Sequence, residues 1–228
     1  MKKHLKRVKN ALDEISCVYG NTMKTYAKII SARDEQTSNH CERVAYNAVL
    51  LGKELGLNES EQSLLYWSGL LHDVGKIGVK EEILLKRGKL TEEEFEQVKK
   101  HAEIGYDLIK SLSNRLYPVA EGVRSHHEKW DGSGYPAGKK GKDIPLFGRI
   151  IAIVDVFEAL TSERPYKDSW DPEDALDYII SYKGIYFDPE LVTIFESLYR
   201  QGKIWIASKP IELDLSLIPS SFNTEIIL

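Results

Sequence analysis

The sequence predicts an all-α fold, a helical bundle with a short extended C-terminal tail. Apolar residues recur at spacings of three and four, as in Leu5, Val8 and Leu12, which is the period of an amphipathic helix. Helix-start signals recur as well, including a capping-box pattern between Thr91 and Glu94. The histidines, finally, lie near the ends of these segments and are spread widely along the chain. Together these features favour helices packed around a shared site.

The helices can be placed in order along the chain. Asn58 and Thr91 are the expected N-caps of two of them, and Asp171-Pro172 and Asp188-Pro189 should each open another. The remaining helices follow from apolar periodicity and are expected at residues 2–19, 21–34, 40–55 and 114–128. A helix from Asn58 should run into residue 72, and one from Thr91 to about residue 110.

The later part of the chain has three distinct stretches. Residues 130–146 are rich in glycine and proline and should form a loop. Residues 147–161 are strongly apolar and are expected to form a buried helix, because fifteen residues are long for a strand. Alternating and β-branched residues at 204–206 and 211–218 suggest extended segments.

Composition limits the function classes. Hydrophobic residues make up 42% and charged residues 29%, and the net charge is −4, which gives no support for binding a nucleic acid polymer through a broad basic surface. The two cysteines, Cys17 and Cys41, are far apart, so a disulfide framework is not expected and a reducing cytoplasm is favoured. No apolar run approaches the ~20 residues of a membrane span, and no apolar segment of a secretory signal follows the basic start.

Five of the six histidines fall at or near predicted helix ends. A single helical histidine is more often a packed or surface residue than a ligand, so the hypothesis rests on the set. Zinc-finger ligands come in local pairs, whereas ligands spread this widely suit a metal site inside a helical bundle. The set is His40, His72, His101, His126 and His127.

Two aspartates and a lysine extend this set. Asp73 directly follows His72, and Lys76, three residues on, can hold or protonate a phosphate. Asp155 interrupts the apolar run 150–156, where a buried carboxylate needs a cation or several donors. Seven candidate ligands are enough for two metal ions. Such a pair activates a water and clamps phosphoryl oxygens, so phosphoester hydrolysis is the expected reaction class.

The motifs resemble those of the HD-GYP family, a branch of the HD superfamily of metal-dependent phosphohydrolases. The resemblance is carried by HDVGK at 72–76, HHEKWDGSGYP at 126–136, DVFEALTS at 155–162 and RPY at 164–166. It covers about residues 20–197. It suggests a division into an N-terminal amphipathic helix (1–19), an HD-GYP catalytic domain (20–200) and a C-terminal extension (201–228).

The resemblance implies an all-helical domain holding iron or manganese, with magnesium, nickel or zinc as substitutes in a crystal. It implies hydrolysis of the bacterial second messenger cyclic di-GMP to pGpG, GMP or both. Asp73 is implied to bridge two metals at the catalytic centre. The implied ligands of the first metal are His40, His72, Asp73 and Asp155. Those of the second are Asp73, His101, His126 and His127.

Further roles also follow from the resemblance. Lys76 is implied to contact the scissile phosphate as a general acid or electrostatic clamp. The implied substrate-binding residues are Gly134, Tyr135, Arg164 and Lys167, which agrees with the phosphate-binding chemistry of arginine and the stacking chemistry of tyrosine. The implied partners are cyclic di-GMP itself, a regulatory protein such as a GGDEF or receiver protein, and a second copy in a homodimer.

One position departs from part of the family. Members with a third metal carry a glutamate four residues before the first ligand histidine, and this chain has Gln36 there. An amide is a poorer ligand for a hard cation than a carboxylate, so two metals are expected. Asp34 and Glu35 are close enough in sequence to be recruited in a shifted geometry.

Two alternatives to cyclic di-GMP hydrolysis stay open at the level of the sequence. The same chemistry would serve another cyclic dinucleotide such as cGAMP. A non-catalytic module that senses cyclic di-GMP or docks a partner is a different class of protein, although intact ligand positions and Lys76 argue against it.

Overall fold

The computed structural model describes residues 2–33, 39–163, 168–208 and 213–219. Within these ranges the chain forms ten α-helices and no β-strand, which confirms the all-α prediction. The helices are α1 (Lys2–Arg33), α2 (His40–Glu54), α3 (Glu59–Leu71), α4 (Glu81–Leu84), α5 (Glu92–Lys99), α6 (His101–Leu112), α7 (Tyr117–Ser125), α8 (Leu146–Thr161), α9 (Pro172–Ser181) and α10 (Pro189–Arg200). The 3₁₀ turns are Val74–Gly78, Asn114–Leu116, Gly141–Asp143 and Leu215–Leu217.

Helix α8 lies at the centre of the bundle, where α2, α3, α7, α9 and α10 pack around it. Ile150, Ile153, Val154 and Phe157 on this helix are almost completely buried. A helix that is apolar on nearly all sides is stable only in such surroundings. The predicted buried helix at 147–161 is therefore confirmed.

The predicted N-caps of α3, α5, α9 and α10 are confirmed. Asn58 shows how they work. Its Oδ1 accepts from the backbone N–H of Glu61 at 3.0 Å, and Glu61 Oε2 accepts from the backbone N–H of Asn58 at 2.9 Å. This reciprocal pair satisfies two donors that a helix start leaves unpaired.

Three helix boundaries differ from the sequence prediction. The helices expected at 2–19 and 21–34 are the single helix α1, with Gly20 buried inside it. A helical glycine costs about 1 kcal/mol relative to alanine, which packing of this helix against the domain outweighs. The segment expected to run from 91 to 110 is divided at Lys100 into α5 and α6. The helix expected at 114–128 begins only after a 3₁₀ turn and ends at Ser125.

The described part of the tail packs on α2. The Trp205 N–H donates to Asn47 Oδ1 at 2.8 Å, and Asn47 Nδ2 donates to the Trp205 carbonyl at 2.9 Å. Residues 204–206 are non-helical, as expected. The expectation of an extended 211–218 is wrong at Leu215–Leu217, because Asp214 accepts from the N–H of Ser216 at 3.0 Å and starts a 3₁₀ turn. Residues 211 and 212 lie outside the described ranges.

A close backbone contact places the His-Asp motif beside α6. A Cβ added to Gly75 would lie 1.9 Å from the carbonyl oxygen of His101 and 2.5 Å from the backbone nitrogen of Gly105. Only glycine allows the turn Val74–Gly78 to approach α6 this closely. Asp73, just before this turn, is thereby brought next to His101.

Candidate metal centre

The structure brings all seven predicted metal ligands together in one cluster. They come from five parts of the fold: the start of α2, the end of α3, the start of α6, the end of α7 and the middle of α8. Neighbouring members are linked by short distances between their side-chain nitrogen and oxygen atoms or by ring contacts. The cluster consists of His40, His72, Asp73, His101, His126, His127 and Asp155.

Three of the histidines are oriented by helix-terminal carbonyls. In each case the ring Nδ1–H donates to the carbonyl three residues earlier, at 2.6–2.7 Å. The pairs are His72 with Gly69, His101 with Val98, and His126 with Val123. Each histidine follows the end of a helix, where the last carbonyls have no intrahelical partner. This explains why the sequence has histidines at helix ends, and it leaves each Nε2 as a bare lone pair.

These bare nitrogens face one another in pairs. Nε2 of His40 lies 3.4 Å from Nε2 of His72, and Nε2 of His101 lies 3.4 Å from Nε2 of His126. The Nδ1 atoms carry the ring protons, since each hydrogen-bonds to an oxygen. The His101–His126 pair is neutral, because burial lowers the pKa of both rings, so it has no proton to share and its two buried acceptors need a cation between them. Burial would also lower the pKa of His72, but the charge of Asp73 and the hydrogen bond to Asp155 raise it well above its ordinary value, so a cation bound to that pair would displace a proton. Imidazole and carboxylate donors suit divalent iron, manganese and related metals.

The two aspartates face these nitrogen pairs. Asp73 Oδ2 is 3.2 Å from His72 Nε2, and its Oδ1 is 3.6 Å from His101 Nε2. One carboxylate therefore reaches both pairs. Asp155 Oδ1 lies 3.4 Å from His40 Nε2 and 3.5 Å from His72 Nε2. The Asp155 side chain is 17% exposed rather than fully buried as the apolar run suggested, so it opens toward solvent from the core helix.

Three residues that sequence reasoning did not single out support His40. His40 Nδ1 hydrogen-bonds to Oε2 of the buried Glu158. The other oxygen of Glu158 accepts from Arg43 Nε at 3.0 Å and from Ser162 Oγ at 2.7 Å. A sequence signal did exist. Glu158 lies three residues after Asp155 on α8, and Arg43 lies three residues after His40 on α2. Side chains at this spacing share one face of a helix.

The site has two halves of different charge. We call His40, His72 and Asp155 the carboxylate half, and His101, His126 and His127 the histidine half. In the histidine half, burial and the neighbouring His101 lower the pKa of His127 to about 3. Burial and the neighbouring His127 likewise hold the pKa of His126 well below its ordinary value. These rings are neutral and their lone pairs are open to a cation.

The carboxylate half shows the opposite trend. Burial would lower the pKa of His40, but its hydrogen bonds to the carboxylates of Asp155 and Glu158 raise it above its ordinary value. Burial would raise the pKa of Glu158, but the hydrogen bond and charge of His40 and the charge of Arg43 bring it to about 2. Asp155 and Glu158 are thus ionised and favour a positive charge beside them.

Lys76 lies beside the shared aspartate. Its Nζ is 2.8 Å from Asp73 Oδ2, and its side chain is 15% exposed. The backbone around Lys76 is held by Arg33 at the end of α1, whose guanidinium donates to the carbonyls of Ile77 at 3.0 Å and Val79 at 2.9 Å. The ammonium group is therefore held directly against the aspartate that faces both nitrogen pairs.

The loop after α7 covers the histidine half. The Tyr135 ring stacks on His127, with ring centroids 4.7 Å apart and an interplanar angle of 28°. A Cβ added to Gly134 would lie 2.5 Å from the His127 carbonyl oxygen, so this glycine allows close backbone packing. The buried Glu128 accepts from the N–H groups of Ala137 at 2.8 Å and Lys139 at 3.1 Å and fixes the loop.

Helix α5 adds two residues to the rim that sequence reasoning did not identify. Phe95 packs edge-to-face against Tyr135 with centroids 6.2 Å apart. Lys99 Nζ lies 5.6 Å from the centroid of the Tyr135 ring. Other predicted positions, Arg164 and Lys167, lie outside the described residues, as does the segment 34–38 with Gln36.

Comparison with known proteins identifies the family. The model of the HD domain family matches residues 24–191, and the chain therefore belongs to the HD domain family. The predicted resemblance to HD-GYP proteins is also confirmed. The match includes the HDVGK motif and both halves of the metal centre.

Several characterised proteins are similar to this chain. The cyclic di-GMP phosphodiesterase response regulator RpfG of Xanthomonas campestris is 42% identical over 82% of this chain and 50% of its own length. The 3'3'-cGAMP-specific phosphodiesterase 2 of Vibrio cholerae is 43% identical over 74% of this chain and 32% of its own length. The chain thus spans half or less of these two relatives.

A solved structure has the same fold. The cyclic GMP-AMP-specific phosphodiesterase V-cGAP3 of Vibrio cholerae superimposes with a TM-score of 0.63 at 24% identity, over 80% of this chain and 49% of the other. At this identity the likeness concerns the fold alone.

Proposed function

We propose that this protein is a metal-dependent phosphodiesterase that hydrolyses cyclic di-GMP. The observation that carries the proposal is the pair of facing Nε2 contacts, His40 with His72 and His101 with His126, joined by Asp73. Four buried lone pairs and a shared carboxylate form a donor set for two cations. RpfG, named a cyclic di-GMP phosphodiesterase, is 42% identical across this region and supports the choice of substrate.

Each half of the site would hold one divalent cation. His40, His72 and Asp155 would hold the first, the histidine half would hold the second, and Asp73 would reach both. Iron and manganese are the metals we propose, because both accept mixed imidazole and carboxylate ligands. When bound, the cations would polarise the phosphate oxygens and lower the pKa of an attacking water.

The protein's own side chains supply the remaining functions. Lys76, beside the shared aspartate, would pair with a phosphate oxygen and donate a proton to the leaving oxygen. Tyr135 holds His127 by stacking and presents its outer edge, with Phe95 and Lys99, to a nucleotide base. A cationic group beside aromatic rings suits a ligand that carries both phosphates and bases. We retain Arg164, Lys167 and Gly134 as proposed substrate contacts.

A second substrate has a specific observation in its favour. The Vibrio cholerae relative named a 3'3'-cGAMP-specific phosphodiesterase is 43% identical, about as similar as RpfG. Both molecules are cyclic dinucleotides with two phosphodiester bonds, and they differ in one base. The metal centre and Lys76 would act identically on either.

We also propose a cytoplasmic location and a regulatory partner such as a GGDEF or receiver protein. Cys17 and Cys41 are both free thiols, which is compatible with a reducing compartment. Among the described helices, none combines the length and apolarity needed to cross a membrane.

The proposal is tested by assaying metal-loaded protein on both cyclic dinucleotides. Protein loaded anaerobically with Fe(II) or Mn(II) should hydrolyse cyclic di-GMP, and chromatography should identify pGpG or GMP as the product. Parallel assays with 3'3'-cGAMP give the ratio of kcat/KM for the two substrates. Failure to turn over either substrate at full metal occupancy would favour a non-catalytic sensing or docking module and overturn the proposed activity.

A further inference from the structure

The carboxylate half of the metal centre adjoins a thiol that the proposed ligand set does not use. Cys41 directly follows His40 on α2, and its side chain is buried. Its sulfur and one ring nitrogen each of His40 and His72 lie within 4.8 Å of one another. The histidine half has a corresponding group of three donors at this spacing, and all of them are ring nitrogens: His101, His126 and His127. The two halves therefore differ in that one of them has sulfur within reach.

The sulfur is close enough to reach a cation held by His40 and His72. In a tetrahedral zinc site the sulfur lies about 2.3 Å and each nitrogen about 2.0 Å from the metal, so neighbouring donor atoms are about 3.5 Å apart. The spacing of the three donors in Cys41, His40 and His72 exceeds this by at most about 1.3 Å. Small rotations of the three side chains close a gap of this size when a cation attracts them.

A hydroxyl group supports the thiol. The Oγ of Ser31 on α1 lies 3.1 Å from the Cys41 sulfur. In the free thiol either atom can donate this hydrogen bond, whereas a metal-bound thiolate only accepts, so the Ser31 hydroxyl would donate to it. Hydrogen bonds of this kind orient the ligands of metal sites. Ser31 is thus placed to support Cys41 in the way that Glu158 supports His40.

The sulfur also lines a groove between α1 and α2. The groove has a volume of about 330 Å³, and both Ser31 and Cys41 contribute to its wall. Lys28, Ala32 and Asn39 line it as well and are exposed, so the groove opens to solvent. The thiol is therefore buried as a side chain but adjoins water, into which a proton can be released.

Sulfur changes which metals a site prefers. Thiolate ligands select zinc and similar soft or borderline cations, whereas manganese suits carboxylate and water oxygens. Burial raises the pKa of the Cys41 thiol, so the metal-free site holds a neutral SH group. When the bond between sulfur and metal forms, the S–H bond breaks and the proton passes to solvent.

We propose that Cys41 is a further metal ligand of the carboxylate half and that its sulfur gives this half a preference for zinc over manganese. The inference rests on the proposed two-metal centre. The group of three in the histidine half contains no thiol, so that half keeps the iron or manganese proposed above. The protein would then hold a mixed centre when both kinds of metal are supplied.

Absorption spectroscopy of cobalt-loaded protein tests the ligand directly. Co(II) occupies the same nitrogen, oxygen and sulfur sites as zinc, and its bond to a thiolate gives an intense charge-transfer band in the near ultraviolet that nitrogen and oxygen ligands do not give. The metal-free full chain, titrated anaerobically with Co(II), should develop this band. Cys41→Ser should bind Co(II) without the band. The matched control is Cys17→Ser, which removes the exposed free thiol on α1 and should keep the band.

The outcomes of this titration separate the ligand from the metal centre. Wild-type protein that binds two Co(II) ions without the band, or a band that persists in Cys41→Ser, would overturn the role of Cys41 and leave the two-metal centre standing. Wild-type protein that binds no Co(II) would overturn both.

Affinities for two metals measure the proposed preference. Chelator competition gives the affinity for zinc, and isothermal titration gives that for Mn(II). Cys41→Ser and Cys41→Ala should each weaken one zinc site by at least about tenfold and change Mn(II) binding by less than about threefold. Circular dichroism checks that both variants keep the helical fold. Equal losses for the two metals would show that Cys41 only positions its neighbour His40 and would overturn the preference for zinc.

Discussion

The two halves of the metal centre are built with different chemistry. In the carboxylate half, His40 is oriented by Glu158, a buried charged group that Arg43 holds in turn. In the histidine half, His101 and His126 are oriented by neutral backbone carbonyls at the ends of helices. The carboxylate half therefore combines a network of ionised side chains at His40 with one helix-terminal carbonyl at His72, whereas both of these histidines in the other half depend on helix ends.

This difference has a consequence for metal affinity. Asp155 adds negative charge to the carboxylate half, whereas the histidine half has only the charge of the shared Asp73. A divalent cation gains more from ionised oxygen ligands than from neutral nitrogens alone. We therefore expect the carboxylate half to bind its metal more tightly and to fill first. Substitutions in each half test this difference.

Replacing the residue shared by both halves should have the largest effect. Asp73→Ala removes the carboxylate that faces both His72 and His101, so both metals and all measurable turnover should be lost. Elemental analysis and a cyclic di-GMP assay check this. The matched control is Asp107→Ala, on the exposed side of α6, which should keep both. Two metals retained in Asp73→Ala would refute a shared ligand.

Lys76→Ala should separate catalysis from metal binding. It removes the proposed proton donor and phosphate partner but no proposed ligand, so kcat should fall by about 10²–10⁴-fold while metal content stays unchanged. Lys80→Ala, at a neighbouring exposed lysine, serves as the control. Steady-state kinetics on protein of known metal content give the answer, and a normal kcat would remove the role assigned to Lys76.

Glu158→Gln should weaken only the carboxylate half. The amide keeps the shape of the side chain but removes the charge that orients His40, and changes of this kind cost about 10–100-fold in metal affinity. Isothermal titration with Mn(II) should show the tighter site weakened and the other unchanged. Glu163→Gln, an exposed glutamate after α8, is the control. Equal weakening of both sites would remove the distinction between the halves.

Tyr135→Ala should have the smallest effect and act on the histidine half. Loss of the ring stacked on His127 removes an aromatic contact worth about 0.5–1.5 kcal/mol, or roughly two- to tenfold in affinity for the weaker metal. Tyr135→Phe keeps the ring and should behave like the wild type in the same titration. An effect confined to the tighter site would contradict the placement of Tyr135.

The sequence predicted the candidate metal ligands better than it predicted the side chains that orient them. Most ligand histidines could be identified because they lie at the boundaries of predicted helices: His40 begins one, and His72 and His126 follow the ends of others. The helix boundary just before His101 was not predicted. Glu158 and Arg43 were missed because their partners lie on other helices, although each shares a helix face with a predicted ligand. The break expected at residue 20 did not occur, because packing decides whether a glycine interrupts a helix. Asp155 was expected to be fully buried. Its partial exposure depends on how the whole bundle packs, which a local apolar run does not reveal.

The most direct test of the account follows activity as the metals are added one at a time. Metal-free protein is titrated anaerobically with Mn(II) while cyclic di-GMP hydrolysis is measured. We predict tight uptake of a first equivalent with little turnover, then a rise in rate as a second, weaker equivalent fills the histidine half. Full activity at one equivalent, or no turnover on either cyclic dinucleotide with two bound, would contradict a two-metal phosphodiesterase.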